Sequence, residues 1–490
     1  MAEKKAKSKA STKKKTRISA FTIILLIIVA LGIISHLLPS AKFVGEEIVG
    51  GSGVVAASVS DILMAPILGF EDAVDVSIFI LVLGGLLAII AKTGALETGI
   101  QVLVKKLKGR ELLLIPILMF IFSVGGTTYG MLEETVGFYA LLSFTMVAAG
   151  MDTIVASATV LLGAGSGVLG STVNPFATGA AIAALPEGAE VNQGVIIFLG
   201  VILWLVAYAI SVFFVMSYAA KVKKDKGSTF LSLQEQKDME KTYVEKDSKN
   251  VDPALTGKQK ITLVLFLLTF LIMIIGFIPW ADLGIEVFSG ENNWTSFLTG
   301  EPFGAWYFYD AATLFFVMAI IIGIINGLKE KEIVDTFIAG AQDILSVVLI
   351  IAVARGASVL MQTTHLDNYI IVNAANALEN FPEFLFTPLN FILHIFLSVL
   401  VPSSSGLASL STPIVGGLSN ALHYSNEVTV MTMVAANGLV NLITPTCGAI
   451  MGGLALAKVE YSTWVKWAGK IVLIIGLASM IVLTLASIIL

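Results

Sequence analysis

Helix-length stretches without a formal charge dominate this chain, and they leave it few ways to fold. Residues 18–38, 76–91, 153–185, 194–217, 261–279, 311–328, 391–422, 428–457 and 472–490 contain no Asp, Glu, Lys or Arg. Roughly 20 apolar residues span the hydrocarbon core of a bilayer. In lipid only helices or closed barrels satisfy every backbone N–H and C=O. These segments are too long and too evenly apolar for the alternating strands of a barrel. Charged residues are 13% of the chain, about half the share of a soluble domain. The fold class is therefore an all-α polytopic membrane protein.

Where the charges sit says more than their net of −5. Cytoplasmic loops collect Lys and Arg. Residues 1–17 hold eight of them and read as a disordered cytoplasmic basic tail. Residues 18–38 form a first span that serves as its own signal. With the N-terminus inside, the chain threads about nine transmembrane helices and two re-entrant hairpins, 112–150 and 391–422, and the C-terminus lies outside. Lys42 to Phe70 reads as an external loop with a short amphipathic segment, and Gln362 to Asn390 as an external stretch. The lysine-rich residues 221–260 read as a cytoplasmic linker between a first repeat, 18–220, and a second, 261–490. Every Lys and Arg except Lys42 and Arg355 then falls on the cytoplasmic side. The expected address is the plasma (inner) membrane, with many passes.

A shift of 270 positions lays Lys92 to Leu96 over Gln362 to Leu366, and Ser171-Thr-Val-Asn-Pro175 over Asn441-Leu-Ile-Thr-Pro445. It also brings the Gly/Thr-rich turn Gly126 to Glu134 near Pro402 to Gly406. A shift of 240 aligns the opening helices, which end at Pro39 and Pro279. The second half contains one additional span, 311–328, so the two repeats are inverted. Inverted repeats with paired, Gly/Pro-interrupted segments mark alternating-access transporters, whose sites form where the breaks meet. Close packing between small residues is the plainer explanation for any one such motif; two matched pairs favour the site.

Other chemistries find little support. Cys447 is the lone cysteine, and the four histidines lack metal-ligand spacing. Gly165-Ser-Gly-Val-Leu-Gly170 fits the dinucleotide pattern without its strand–turn–helix setting, so it reads as a packing seam. No phosphate-binding loop motif occurs, so transport would run on gradients or exchange. No cofactor and no nucleic-acid partner are expected, while a coupling Na⁺ or H⁺ stays open.

The stretches Gly125-Gly-Thr-Thr-Tyr-Gly-Met-Leu-Glu-Glu-Thr135, Ser171-Thr-Val-Asn-Pro-Phe-Ala-Thr-Gly179, Ala354-Arg-Gly356, Pro402-Ser-Ser-Ser-Gly-Leu-Ala408 and Asn441-Leu-Ile-Thr-Pro-Thr446 resemble the YfcC-type branch of the anaerobic dicarboxylate carrier (DcuC-like) family. The likeness runs from about Ile18 to the C-terminus. It looks closest to members that exchange arginine for ornithine. The resemblance implies the ion-transporter superfamily fold, a homodimer with a scaffold and a moving transport domain, and an elevator-like motion.

Ionisable groups at membrane depth are costly and usually functional. Arg355 lies within an otherwise apolar span, and Glu133 and Glu134 follow the first hairpin tip. Under the repeat Gly85 replaces Arg355, and Ser403 and Ser404 replace the glutamates. A structural ion pair for Arg355 and a helix-dipole role for Glu133 are the plainer alternatives. The candidate substrate-binding set is Thr127, Thr128, Glu133, Glu134, Asn174, Thr178, Arg355, Ser403, Ser404, Ser405, Asn437, Asn441, Thr444 and Thr446. Its hydroxyls and amides suit a carboxylate or an oxygen-liganded Na⁺. Arginine/ornithine-type exchange is the leading reading, because a dicarboxylate favours two positive partners and one basic residue is embedded. A C4-dicarboxylate carrier coupled to H⁺ or Na⁺, using helix N-termini as the second positive end, stays open. An intramembrane enzyme is a remote third, since no catalytic dyad is evident.

Overall fold

The computed structural model describes residues 20–41, 43–44, 47–48, 53–96, 98–99, 102, 110–186, 189–244, 254–277, 280–281, 285–288 and 294–490, without the side chains of 20, 23, 43–44, 47–48, 76, 129, 134, 175, 346–347 and 350. The basic tail, Lys42, Lys105, Lys106, Lys108, linker residues 245–253 and Pro279 lie outside the described residues, as does the Glu134 side chain.

Helix α1 (Ala20–Leu37) leads to a two-residue antiparallel pair, β1 (Phe43–Val44) and β2 (Glu47–Ile48). Then come α2 (Val59–Asp72) and α3 (Val74–Lys92), bent by 58° at their junction. A hairpin follows, made of α4 (Leu114–Tyr129) and α5 (Val136–Ala148), and then α6 (Thr153–Gly170). After a break at Ser171–Asn174 the chain makes a π turn, Pro175–Gly179, and enters the long α7 (Gln193–Lys224). The second half runs through α8 (Leu233–Tyr243), α9 (Gly257–Phe277), α10 (Phe308–Asn326), α11 (Glu330–Thr363) and α12 (Leu366–Leu378). A second hairpin joins α13 (Glu383–Leu400) to α14 (Ser404–Ser411), which continues through a π turn to Ala421. Helix α15 (Asn426–Val440) breaks before α16 (Gly448–Leu456), and α17 (Tyr461–Ile489) ends the fold. Among the described residues seven helices are long and apolar enough to cross a bilayer, and eight if the bent α2–α3 pair counts as one.

The core is built around α6, all of whose eighteen residues are buried. Its Gly, Ala and Ser content lets neighbouring backbones approach closely, as packing in lipid favours. A Cβ on Gly126 of α4 would sit 2.1 Å from the Ala164 carbonyl oxygen, and one on Gly167 would sit 2.0 Å from that of Ser123. The Gly165–Gly170 run is thus a packing seam, with no strand before it. Helices α6 and α15, which precede the two breaks, cross where a Cβ on Gly438 would come within 2.5 Å of Leu169 Cα.

Two stretches depart from the sequence reading. Val59–Asp72, which starts in the stretch read as an external loop with a short amphipathic segment and runs two residues past its end at Phe70, is a helix seated on α11, where a Cβ on Gly69 would lie 2.2 Å from the Gly356 nitrogen. Small residues on one face, Ala65 and Gly69, bring it in; its acidic end disguises it as a loop. The expected external stretch Gln362 to Asn390 holds all of α12 and the start of α13. Leu366, Ile371, Ala375 and Leu378 are buried at helical spacing.

The expected polar linker is also more ordered than its composition suggests. Ser232 and Glu235 form a capping box that starts α8, satisfying two otherwise orphaned backbone donors. Buried Glu235 accepts hydrogen bonds from the Glu460 backbone N–H (2.8 Å) and from Thr463 Oγ1 (3.1 Å), and Tyr243 donates its hydroxyl to the Leu456 carbonyl. On the first-half side, Tyr218 and Thr229 hydroxyls donate to Asp152 Oδ2, each at 2.6 Å. Burial pushes the Asp152 carboxyl up in pKa, and these hydrogen bonds pull it back.

Candidate functional site

Both hairpin tips are made by backbone devices. Helix α4 stops at Tyr129 because Gly130 adopts φ +81°, a left-handed conformation that costs a side-chain-bearing residue about 1–2 kcal/mol. The chain then turns through Leu132 into a tight turn at Glu133–Thr135, where the Thr135 hydroxyl donates to the Leu132 carbonyl at 2.5 Å. In the second hairpin Ser403 caps α14, its Oγ accepting from the Gly406 N–H at 3.2 Å. The Pro402 carbonyl lies outside both helices and accepts from Asn437 Nδ2 (3.3 Å) and Asn441 Nδ2 (2.9 Å).

The breaks supply the other walls. Asn174, buried beside Gly130, donates to Ser171 Oγ (3.0 Å) and accepts from the Phe176 N–H (2.9 Å). Opposite it, Asn441 donates to Asn437 Oδ1 at 3.1 Å as well as to Pro402. Ser404 also donates to Asn437 Oδ1, at 2.7 Å. These bonds fix which way the Asn441 amide faces, since its nitrogen already meets two acceptors. Asn441 Oδ1 is left without a hydrogen-bond partner among the described residues. A buried acceptor of this kind costs stability unless something donates to it.

Two adjoining cavities open between tips and breaks, of about 90 Å³ and about 20 Å³. Glu133, Arg355, Pro402, Ser403 and Asn441 line both. Asn174, Ser404 and Ser405 line the larger, Thr446 and Cys447 the smaller. The smaller has room for about one water molecule. The larger is well below the few hundred Å³ of small-ligand pockets, so admitting an organic solute requires the walls to separate.

The remaining sequence candidates stand behind this lining. Thr127 of α4 donates to Thr172 Oγ1 in the break after α6 (3.2 Å), Thr128 donates to the Val124 carbonyl, and Thr178 donates to that of Asn174. Thr444 pairs with Thr446 at 2.8 Å, and Asn437 organises Ser404 and Asn441. Sequence reasoning missed Phe176, Tyr307 and Phe308, which line the larger cavity; the Phe176 and Tyr307 rings lie 5.6 Å apart. Aromatic residues at span ends are common enough to carry no signal. Arg355 forms an ion pair with Asp72, Nε to Oδ2 at 3.8 Å. Among the described residues no group of His, Cys, Asp and Glu could hold a metal ion.

Membrane-length apolar helices around a polar, charged cavity define a polytopic membrane protein. Residues 17–488 match the sequence profile of the C4-dicarboxylate anaerobic carrier family (DcuC), and the chain belongs to that family. It is a transporter, not an enzyme. An uncharacterised protein of Haemophilus influenzae is 30% identical over 410 residues, 84% of this chain and 74% of its own length. A putative basic amino acid antiporter of Escherichia coli, YfcC, is 27% identical over 408 residues, 81% of this chain and 74% of its own. Among solved structures, the YdaH transporter of Alcanivorax borkumensis aligns over 96% of this chain and 98% of its own, with TM-score 0.45 and 14% identity. MtrF of Neisseria gonorrhoeae, described as one of a class of antimetabolite efflux pumps, aligns over 97% and 96%, with TM-score 0.43 and 16% identity.

Proposed function

We propose that the protein exchanges basic amino acids of the arginine/ornithine type across the membrane by alternating access, holding them in the cavity at Glu133, Arg355 and Asn441. One observation carries this reading: a carboxylate and a guanidinium face the same cavity, with an unpaired amide oxygen beside them. A basic amino acid presents the complementary groups, one carboxylate and two cationic nitrogens. Its carboxylate meets Arg355 and the hydroxyls of Ser403–Ser405. Its side-chain cation meets Glu133, and an ammonium donates to Asn441 Oδ1. Charge-assisted bonds of this type are the strong ones in a partly dry site. The 27% identity to a putative basic amino acid antiporter points the same way.

A C4-dicarboxylate carrier is the second reading, favoured by the description of the family. The Ser403-capped start of α14 would then serve as the second positive end. The proposal also includes two inverted repeats, 18–220 and 261–490, a cytoplasmic N-terminus, an external C-terminus and a homodimer. Support for the repeats comes from the shared order of hairpin, then broken helix, in each half.

Counterflow separates the two substrates. Proteoliposomes loaded with unlabelled arginine should take up labelled arginine, with ornithine competing and malate and succinate not. Uptake driven by internal succinate and blind to ornithine would replace the first reading with the second.

A further inference from the structure

Arg355 is not free to meet a substrate carboxylate alone, because Asp72 stands beside it. The two are held there by backbone contact. Asp72 ends α2, which packs into α11 at its closest approach: a Cβ on Gly356 would lie 2.5 Å from the Ala65 carbonyl oxygen, and one on Gly69 would lie 2.2 Å from the Gly356 nitrogen. Gly356 follows Arg355 directly, so the spacing of carboxylate and guanidinium is set by two helices that cannot slide without clashing. The carbonyl-rich C-terminal end of α2 favours a cation as well.

The pair is nonetheless loose. The contact is 3.8 Å long, Asp72 is 50% exposed and Arg355 28%. Such geometry neutralises charge without the fixed forked bonds of a tight Arg–carboxylate pair. Among the described side chains, the formal charges at the cavity and beside it are then one guanidinium, Arg355, against two carboxylates, Glu133 and Asp72.

We propose that Asp72 is the charge selector of the transport site. By compensating Arg355 it shifts the charge balance of the cavity toward Glu133, so the site accepts a solute one unit more positive than it otherwise would. Asp72 touches Arg355 rather than the cavity itself, and acts as a positioning and selectivity residue. This inference rests on the reading that the cavity is the substrate site.

The test uses the full-length protein in proteoliposomes and reads ratios of inhibitory concentrations, which loss of overall activity does not move. Arginine and citrulline differ by one positive charge at nearly constant shape, and succinate and succinamate differ by one negative charge. In Asp72→Asn the preference for arginine over citrulline should fall, and that for succinate over succinamate rise, by at least about fivefold, as one screened charge a few ångströms away dictates. Asp72→Glu should restore both ratios, and Glu71→Gln, one residue earlier on α2, should leave them unchanged. Where Asp72→Asn does not fold, Asp72→Ser removes the same charge and carries the same expectation. Unchanged ratios in the uncharged variants, or an equal shift in Glu71→Gln, would overturn the proposal. A wild-type protein that prefers succinate to arginine would instead refute the basic amino acid reading; the succinate–succinamate ratio would then decide for or against Asp72.

Discussion

Glu133 reaches the cavity because Gly130 turns the chain with positive φ and Asn174 packs against that turn. A Cβ at Gly130 would meet Asn174 Nδ2 at 2.9 Å on top of the backbone strain. Gly130→Ala should therefore cost about 1–2 kcal/mol or more, seen as a lower unfolding temperature in detergent, and should reduce transport by displacing Glu133. Glu133→Gln keeps the shape and removes the charge; arginine exchange should fall at least about tenfold while the unfolding temperature stays near that of the wild type. Equal exchange in Glu133→Gln and wild type would remove the main support for a cationic substrate. Glu133, Arg355 and the Ser403–Ser405 run were legible in the sequence because charge and hydroxyls stand out in apolar surroundings. The division of labour among the hydroxyls was not, because a Thr that bonds its own helix, as Thr128 does, and one that faces a cavity look alike until the backbone is placed. Asp72 stayed hidden between the end of the expected external loop at Phe70 and the span that begins at residue 76, a short stretch to which the sequence assigns no role.

Elements were legible wherever apolar length decided them, as in α7, α9, α10 and α17. They were obscured where contact between small residues decided them, as in α2, or where a polar segment folds by hydrogen bonding, as in α8. Glu235 is the test of that last case. It is buried and receives donors from Ser232, Glu460 and Thr463. Glu235→Ala strands these donors, at about 1–3 kcal/mol. A clear drop in unfolding temperature is expected, together with easier proteolysis between residues 225 and 260. A variant as stable and as resistant as the wild type would show that α8 is held by something other than this carboxylate.

For the whole molecule, the lysine distribution predicts a topology that reporter fusions can read directly. Fusions after Ser217 and Lys458 should report the cytoplasm, and fusions after Glu190 and Asn380 the exterior. An external signal after Ser217 would break the inverted arrangement of the halves. The central claim is narrower: substrate is held where the hairpin tips meet the two breaks. Cys447 tests it most directly, because it lines the smaller cavity with Glu133 and Arg355 and is the sole cysteine. It is buried in this structure, so a small hydrophilic maleimide reaches it only when the walls separate during the transport cycle, and only a wetted thiol reacts. Labelling in proteoliposomes should proceed without substrate and slow when arginine or ornithine is added at saturating concentration. Labelling that is negligible under all conditions, or that proceeds at one rate whatever compound is present, would place the substrate elsewhere.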